Sequence, residues 1–297
     1  MDQHEQVFQT ISQSSKWKKI LHQVRYAIFH DVSGFLGFLI LSVILILTLI
    51  APVVFPLDTV SNVGAILQPP SSQHLLGTDH LGRDIWAQIA NGGKDLLIMA
   101  IITATLGIFL GVMLGAFSAI VGGKLDEVLL LLADVWLSIP RLPLLVVLSA
   151  FITLNSMIFA VLLAILSWAG LYRTIRSEVL SLKERAFIEV SFMQNLSTSH
   201  IVFKEIAPNL IGFIAINYTL LMKAAIYAQV GLVFLGILPL EQNWGVMINQ
   251  AWTQGVIYSP DSILYILAPT IMICLLIVSL VWIGKSLEDV FNPSLRK

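Results

Sequence analysis

Charge is what this chain has least of. Asp, Glu, Lys and Arg make up 12% of its 297 residues, where soluble domains carry about 25%. A chain so poor in charge cannot clothe a water-facing surface. Hydrophobic residues at 57% and a mean hydropathy of +0.86 point instead to an integral membrane protein. Cysteine is nearly absent: Cys274 stands alone, which excludes an intrachain disulfide. The net charge is −1. With no basic tail and no interleaving of basic and aromatic residues, nucleic acid is excluded as a partner.

Catalytic signatures are lacking too. No segment reads G-x-x-x-x-G-K-[ST]; Gly123-Lys124 is followed by Leu125, and Ser118 stands where the first glycine belongs. The phosphate cradle of a nucleotide site is therefore missing. The six histidines are scattered, with no H-E-x-x-H, no metal-ligand spacing and no G-x-S-x-G elbow. Only Asp134, Arg141 and Lys223 are ionisable groups inside apolar runs, too few paired groups for intramembrane catalysis.

What is present is a series of long apolar runs. A bilayer core of about 30 Å needs about 20 helical residues. An all-α fold with six spans follows: 33–55, 96–121, 128–154, a fourth ending near Tyr172, 210–238 and 262–284. Residues 1–32 form a polar N-terminal segment, where Lys16-Trp17-Lys18-Lys19 reads as an interfacial helix on anionic lipid. Residues 56–95 are an external connection, 96–284 the main transmembrane unit, 239–261 a second external connection and 285–297 the tail. Placing the N-terminus in the cytoplasm puts thirteen of the seventeen Lys and Arg residues on the cytoplasmic side and two outside. That bias sets both termini inside.

Within this frame several features stand out. Gly107, Gly111 and Gly115 recur every four residues, which suits close helix packing. Asp134 and Arg141 lie seven residues apart and are expected to pair along one helix face. Pro140 and Pro143 interrupt that span. Trp86, Trp136, Trp168, Trp244, Trp252 and Trp282 suit the interfacial belts. Lys223, near the middle of the fifth span with Asn217 and Gln229, is a candidate for a translocation path. The stretch from Leu171 to Asn209 is polar, basic and helically spaced. Val179, Leu182, Ala186, Ile188 and Glu189 recur at three- and four-residue steps, giving an apolar face for docking to another protein.

Two motifs carry a resemblance. The segment Leu75-Leu76-Gly77-Thr78-Asp79-His80-Leu81-Gly82-Arg83-Asp84 is similar to the L-G-T-D-x-x-G-R-D signature of the dipeptide, oligopeptide and nickel permeases, a branch of the ABC importers. Here Asp84 is expected to cap a helix starting at Ile85. The stretch around 173–208 resembles the same importers' E-A-A-x-x-x-G loop and its approach. Arg173, Arg176, Glu178, Leu180, Leu182, Arg185 and Pro208-Asn209 fall in place, as does Trp244-Gly245. The loop departs from the pattern, with Val190 and Ser191 for two alanines and Asn195 for glycine. Asparagine tolerates the left-handed backbone that the glycine supplies.

The resemblance implies a type I ABC importer fold and a C-type permease subunit, most simply for peptides. Nickel or metal chelates and oligosaccharides are the alternatives within this architecture. A secondary transporter that runs without ATP is the alternative of another class. It further implies a homologous second permease subunit, two ATPase subunits holding ATP and Mg, and an extracellular or periplasmic substrate-binding protein. This chain itself would bind no cofactor. Arg185, Ala186, Glu189, Val190, Ser191 and Asn195 would form the ATPase-docking loop. Gly77, Thr78, Asp79, Gly82, Arg83 and Asp84 would shape the external face.

Overall fold

The computed structural model describes Arg25, Phe29 and residues 31–152, 154–240 and 242–291. The Lys16–Lys19 segment and the end of the tail lie outside the described residues. Among the described residues the fold is helical without strands, and its single bridge pairs Thr78 with Asp84. Five helices are long and apolar enough to cross a membrane: α1 (Val32–Val54), α2 (Ile85–Val121), α5 (Ser156–Lys183), α7 (Ile211–Phe234) and α9 (Leu264–Phe291). Between α2 and α5 run α3 (Gly123–Ser138) and α4 (Arg141–Phe151), which together pass the same test but are bent by 81°. Shorter helices include α6 (Ala186–Met193) after α5 and α8 (Trp244–Thr253) before α9.

The break between α3 and α4 has a local cause. Pro140 lacks an amide hydrogen and its ring clashes with a continuing turn. The residue before it, Ile139, is driven to an extended conformation at φ −81°, ψ 122°. The expected third span of 128–154 is therefore two helices with a sharp corner. The expected Asp134–Arg141 pair is lost with it. Asp134 instead meets Arg173 of α5 at 3.2 Å, while Arg141 sits beyond the corner.

The bundle's spine is α2 against α5. The glycine ladder works as its spacing implies, because α5 backbone and Cβ atoms lie directly over it. A Cβ built on Gly111 would stand 2.6 Å from Leu171 Cβ, and one on Gly115 would stand 2.9 Å from the Tyr172 carbonyl oxygen. Two spans exceed their expected limits. Helix α2 starts at Ile85 and is capped by Asp84 as expected, the carboxylate accepting from the Ala87 amide at 2.9 Å, and it runs without a break into the second span. Lys94 and Asp95, placed in the external connection by their charge, thus belong to the helix. Helix α5 runs unbroken to Lys183, so the fourth span and the first third of the polar stretch are one rod.

Trp244 departs from the interfacial expectation. It is fully buried, donates from its indole N–H to the Ile89 carbonyl at 2.9 Å, and lies over Gly92 and Gly93 of α2. A large aromatic is accommodated there because two adjacent residues of α2 have no side chain. Trp136 and Trp168 form a tilted aromatic run with Tyr172 at the α3–α5 contact.

Candidate functional site

The stretch after α5 is a compact end cap rather than one long amphipathic helix. The chain turns at Glu184 and Arg185, forms α6, turns again at Asn195, and continues through a wide helical turn, Ile201–Ile206, to Pro208 and α7. Ile188, Ile201, Val202 and Ile206 are buried together with Ala116, Ile120, Ile175 and Val179. This cluster ties α6 to the end of α2. Lys183 adds a polar tie, donating to the Ala119 and Ile120 carbonyls at 3.3 and 3.4 Å, where the helix end presents unpaired acceptors.

The two faces of α6 are not divided as the spacing suggests. Ile188 and Ser191 face inward; the Ser191 hydroxyl is satisfied locally by the Phe187 carbonyl at 3.1 Å. Of the residues expected on one docking face, Val179, Leu182 and Ile188 are buried inward, while Ala186 and Glu189 are exposed, as are Arg185, Val190 and Asn195. Much of the outward surface is apolar: Phe187, Val190 and Met193 are 40%, 49% and 72% exposed. Asn195 takes φ +52°, the left-handed conformation anticipated at this bend. Its amide donates to Phe192 O at 3.0 Å, and Leu196 N to Ser191 O at 3.3 Å, closing the helix as a glycine would.

The opposite end of α2 carries the 77–84 segment. Asp79 is fully buried. One carboxylate oxygen accepts from the Leu81 and Arg83 amides, both at 2.8 Å. The other accepts from Arg83 Nε at 2.7 Å, Arg83 Nη2 at 2.7 Å and Gln88 Nε2 at 2.9 Å. Thr78 bridges the loop before it, receiving the Gln68 amide at 2.8 Å and donating to the Ala65 carbonyl. Gly77 and Gly82 hold φ of +81° and +75°. Asp84 also meets His74 Nδ1 at 2.8 Å. The His80 ring stacks on Tyr265, with Nδ1 3.0 Å from its hydroxyl. Burial holds the His80 pKa below its usual value; Asp79 opposes that shift and Arg83 reinforces it. These groups hold the loop's own shape.

Between the two ends lies a cavity of roughly 380 Å³ lined from α2, α4, α5 and α7, with Thr103, Arg141, Leu145, Ser167, Leu221 and Tyr227 among its walls. None of Lys223, Asn217 and Gln229 lines it. Lys223 is half-buried on α7. Asn217, also half-buried, bonds back to the Phe213 carbonyl at 2.9 Å. Gln229 is fully buried and its amide points to Asp95 at 3.5 Å, so it has no open face of its own. Asp95 also receives the Ser156 hydroxyl. It lies inside α2 and not in the expected 56–95 connection. A bidentate pair, Arg176 Nε and Nη2 to the two Asp126 oxygens at 2.6 Å each, fastens α5 to α3.

Five apolar helices and a bent pair, with charge confined largely to the ends, define a multi-pass membrane protein. The chain belongs to the family described as binding-protein-dependent transport system inner membrane component, which matches residues 107–297. It is similar to the oligopeptide transport system permease protein OppC of Bacillus subtilis (strain 168), 29% identical over 95% of this chain and 91% of that one. A putative peptide permease protein of Brucella suis biovar 1 (strain 1330) is 32% identical over 77% of this chain and 76% of that one. The dipeptide transport system permease protein DppC of Bacillus subtilis (strain 168) is 28% identical over 88% and 82%.

Proposed function

We propose that the chain is a permease subunit of an ATP-driven importer of di- and oligopeptides, and that α6 is its contact with the motor. The observation that carries this is the surface of α6. Phe187, Val190 and Met193 stand exposed around Glu189 while Ile188 is fully buried beneath them. A short helix rooted in a core and apolar on its free face suits a groove on another protein. The permease names of the relatives support the substrate class. In this proposal ATP and Mg are held by separate chains, a reading that the lack of a phosphate cradle supports.

In this reading the positive-inside bias places α6 in the cytoplasm, against one of two ATPase subunits. A homologous second permease subunit completes the path, to which Lys223 and Asn217 of α7 contribute. A binding protein outside delivers the peptide near the 77–84 segment. ATP closes the motor, α6 follows its groove, and the buried cluster passes the movement to α2 and α5. The path then opens outward, and hydrolysis resets it.

Glu189 is the exposed acid at the centre of the α6 ridge, suited to a basic or polar group in the groove. In purified complex, Glu189→Lys should leave assembly and basal hydrolysis intact but reduce ATP-driven peptide uptake at least tenfold. Full uptake with substrate-stimulated hydrolysis would show that α6 does not couple through this residue.

A further inference from the structure

The corner at Pro140 puts Arg141 somewhere its spacing from Asp134 does not suggest. The guanidinium edges the cavity, 3.7 Å from the place a Cβ would take on Gly170 of α5. The cavity walls are mainly leucine and alanine, with hydroxyls from Thr103, Ser167 and Tyr227. Two of those hydroxyls are already engaged, Thr103 with the Ala160 carbonyl at 3.1 Å and Ser167 with the Leu163 carbonyl at 2.8 Å. Thr103 stands at the midpoint of α2, and Leu221, Ala224 and Tyr227 occupy the middle of α7. The cavity is therefore at mid-depth in the bundle.

A full charge at that depth faces protein or water, not lipid. Among the described residues no carboxylate lies within ion-pair distance of Arg141. Of the three acids of α3, Asp134 is taken by Arg173 and Asp126 by Arg176 on the other side of the corner, and Glu127 is exposed one residue beyond Asp126. What remains is an exposed cationic fork at the edge of an apolar cavity. Guanidinium matches a carboxylate with two parallel hydrogen bonds. The volume falls in the range of small-ligand sites, on the order of 300–1,000 Å³.

We infer that Arg141 is a carboxylate-recognition residue of the cavity, and that its ligand is the free C-terminal carboxylate of a peptide in transit. The carboxylate chemistry follows from the cavity; the identity of its bearer rests on the transport reading above. The assignment explains how a path can be selective and still accept many sequences. The terminal carboxylate is common to all unmodified peptides, and the leucine-rich walls make no sequence-specific demand on the side chains.

The test is calorimetric binding of tri-alanine and of its C-terminal amide to the purified permease–ATPase complex without receptor. The acid should bind about tenfold more tightly than the amide, the scale of one charge-assisted hydrogen bond. Arg141→Gln should remove that preference while leaving amide binding unchanged, and Arg141→Lys, which keeps the charge, should retain part of it. An equal affinity of the wild type for both ligands, or a preference undiminished in Arg141→Gln, overturns the assignment. So does a loss of complex assembly in Arg141→Gln restored by Arg141→Lys with no acid preference, the sign of an ion pair to the second permease subunit. ATP-driven uptake by the same preparation, with receptor restored, reports separately on transport. Absent uptake with the acid preference intact sinks the importer reading and leaves the carboxylate site standing.

Discussion

Replacing Asp79 by asparagine is the sharpest single test of the loop at the start of α2. The side chains are nearly isosteric, so packing is kept and only acceptors are lost. One oxygen of Asp79 serves two donors, the Leu81 and Arg83 amides. The other serves Arg83 Nε, Arg83 Nη2 and Gln88 Nε2. Whichever oxygen becomes an NH2 group, at least two donors face a donor. Asp79 is 0% exposed and the Arg83 side chain 11%, so water cannot easily replace the lost acceptor. Removing one member of a buried pair costs roughly 3–5 kcal/mol. Every 1.4 kcal/mol is about tenfold in an equilibrium, so amide hydrogen exchange at Leu81 and Arg83 should quicken at least about a hundredfold. Arg83→Gln should do less, because Asp79 then keeps both backbone donors and Gln88. Exchange in Asp79→Asn within threefold of wild type, or a larger effect from Arg83→Gln, would refute this account of how the loop is held.

Two further outcomes follow from packing and titration. Gly111→Ala places a methyl 2.6 Å from Leu171 Cβ; it should destabilise the bundle by about 1–3 kcal/mol, read as a lowered thermal midpoint. Gly231→Ala, with nothing within 4 Å of the new Cβ, should be neutral or mildly stabilising. His80, whose pKa burial depresses from 6.5, binds its proton more readily in the unfolded chain than in the folded loop. Its contribution to stability is full above that value and declines as pH falls through it towards the lower folded pKa. Loop protection factors, with the intrinsic pH dependence of amide exchange divided out, should therefore fall in acid, and His80→Gln should flatten that dependence; an unchanged acid response in the variant would assign it to another group.

The features legible in the sequence are those whose cause is local. Asp84 caps α2 because a carboxylate ahead of a helical run meets the first free amides. Asn195 turns with positive φ because the residue at that place needs a left-handed backbone. Gly111 opens α2 to a neighbour because spacing alone gives the bare face. The misread features depend on what lies across the bundle. Asp134 and Arg141 share a face only on a straight helix; Pro140 marks the break locally, but which partner Asp134 then meets, Arg173, depends on α5 across the bundle. Trp244 looks interfacial until Gly92 and Gly93, some 150 residues away in sequence, are brought beneath it. The apolar outer side of α6 is hidden because Ile188 and Val190 are equally hydrophobic, and only packing separates the buried one from the exposed one.

The two walls of the cavity are held very differently. The glycine ladder and Lys183 lock α2 and α5 into close contact, and the Ile188 cluster binds α6 to the same pair. A displacement of α6 must therefore move that rod pair as a unit, since tightly packed helices shift between arrangements rather than deform. Helix α4 has no comparable hold. Leu145 is its sole buried residue, while Leu142, Val147 and Phe151 are 57%, 55% and 82% exposed. Arg141 rides at the start of this loosely held element, with its guanidinium reaching Gly170 of the rod pair. In the proposed importer, a stroke delivered at α6 changes the distance between Arg141 and the α2–α5 wall before it changes anything within either wall. Carboxylate affinity at Arg141 should then differ between the ATP-bound and nucleotide-free complexes, which links the motor to the cargo through the geometry of a single corner.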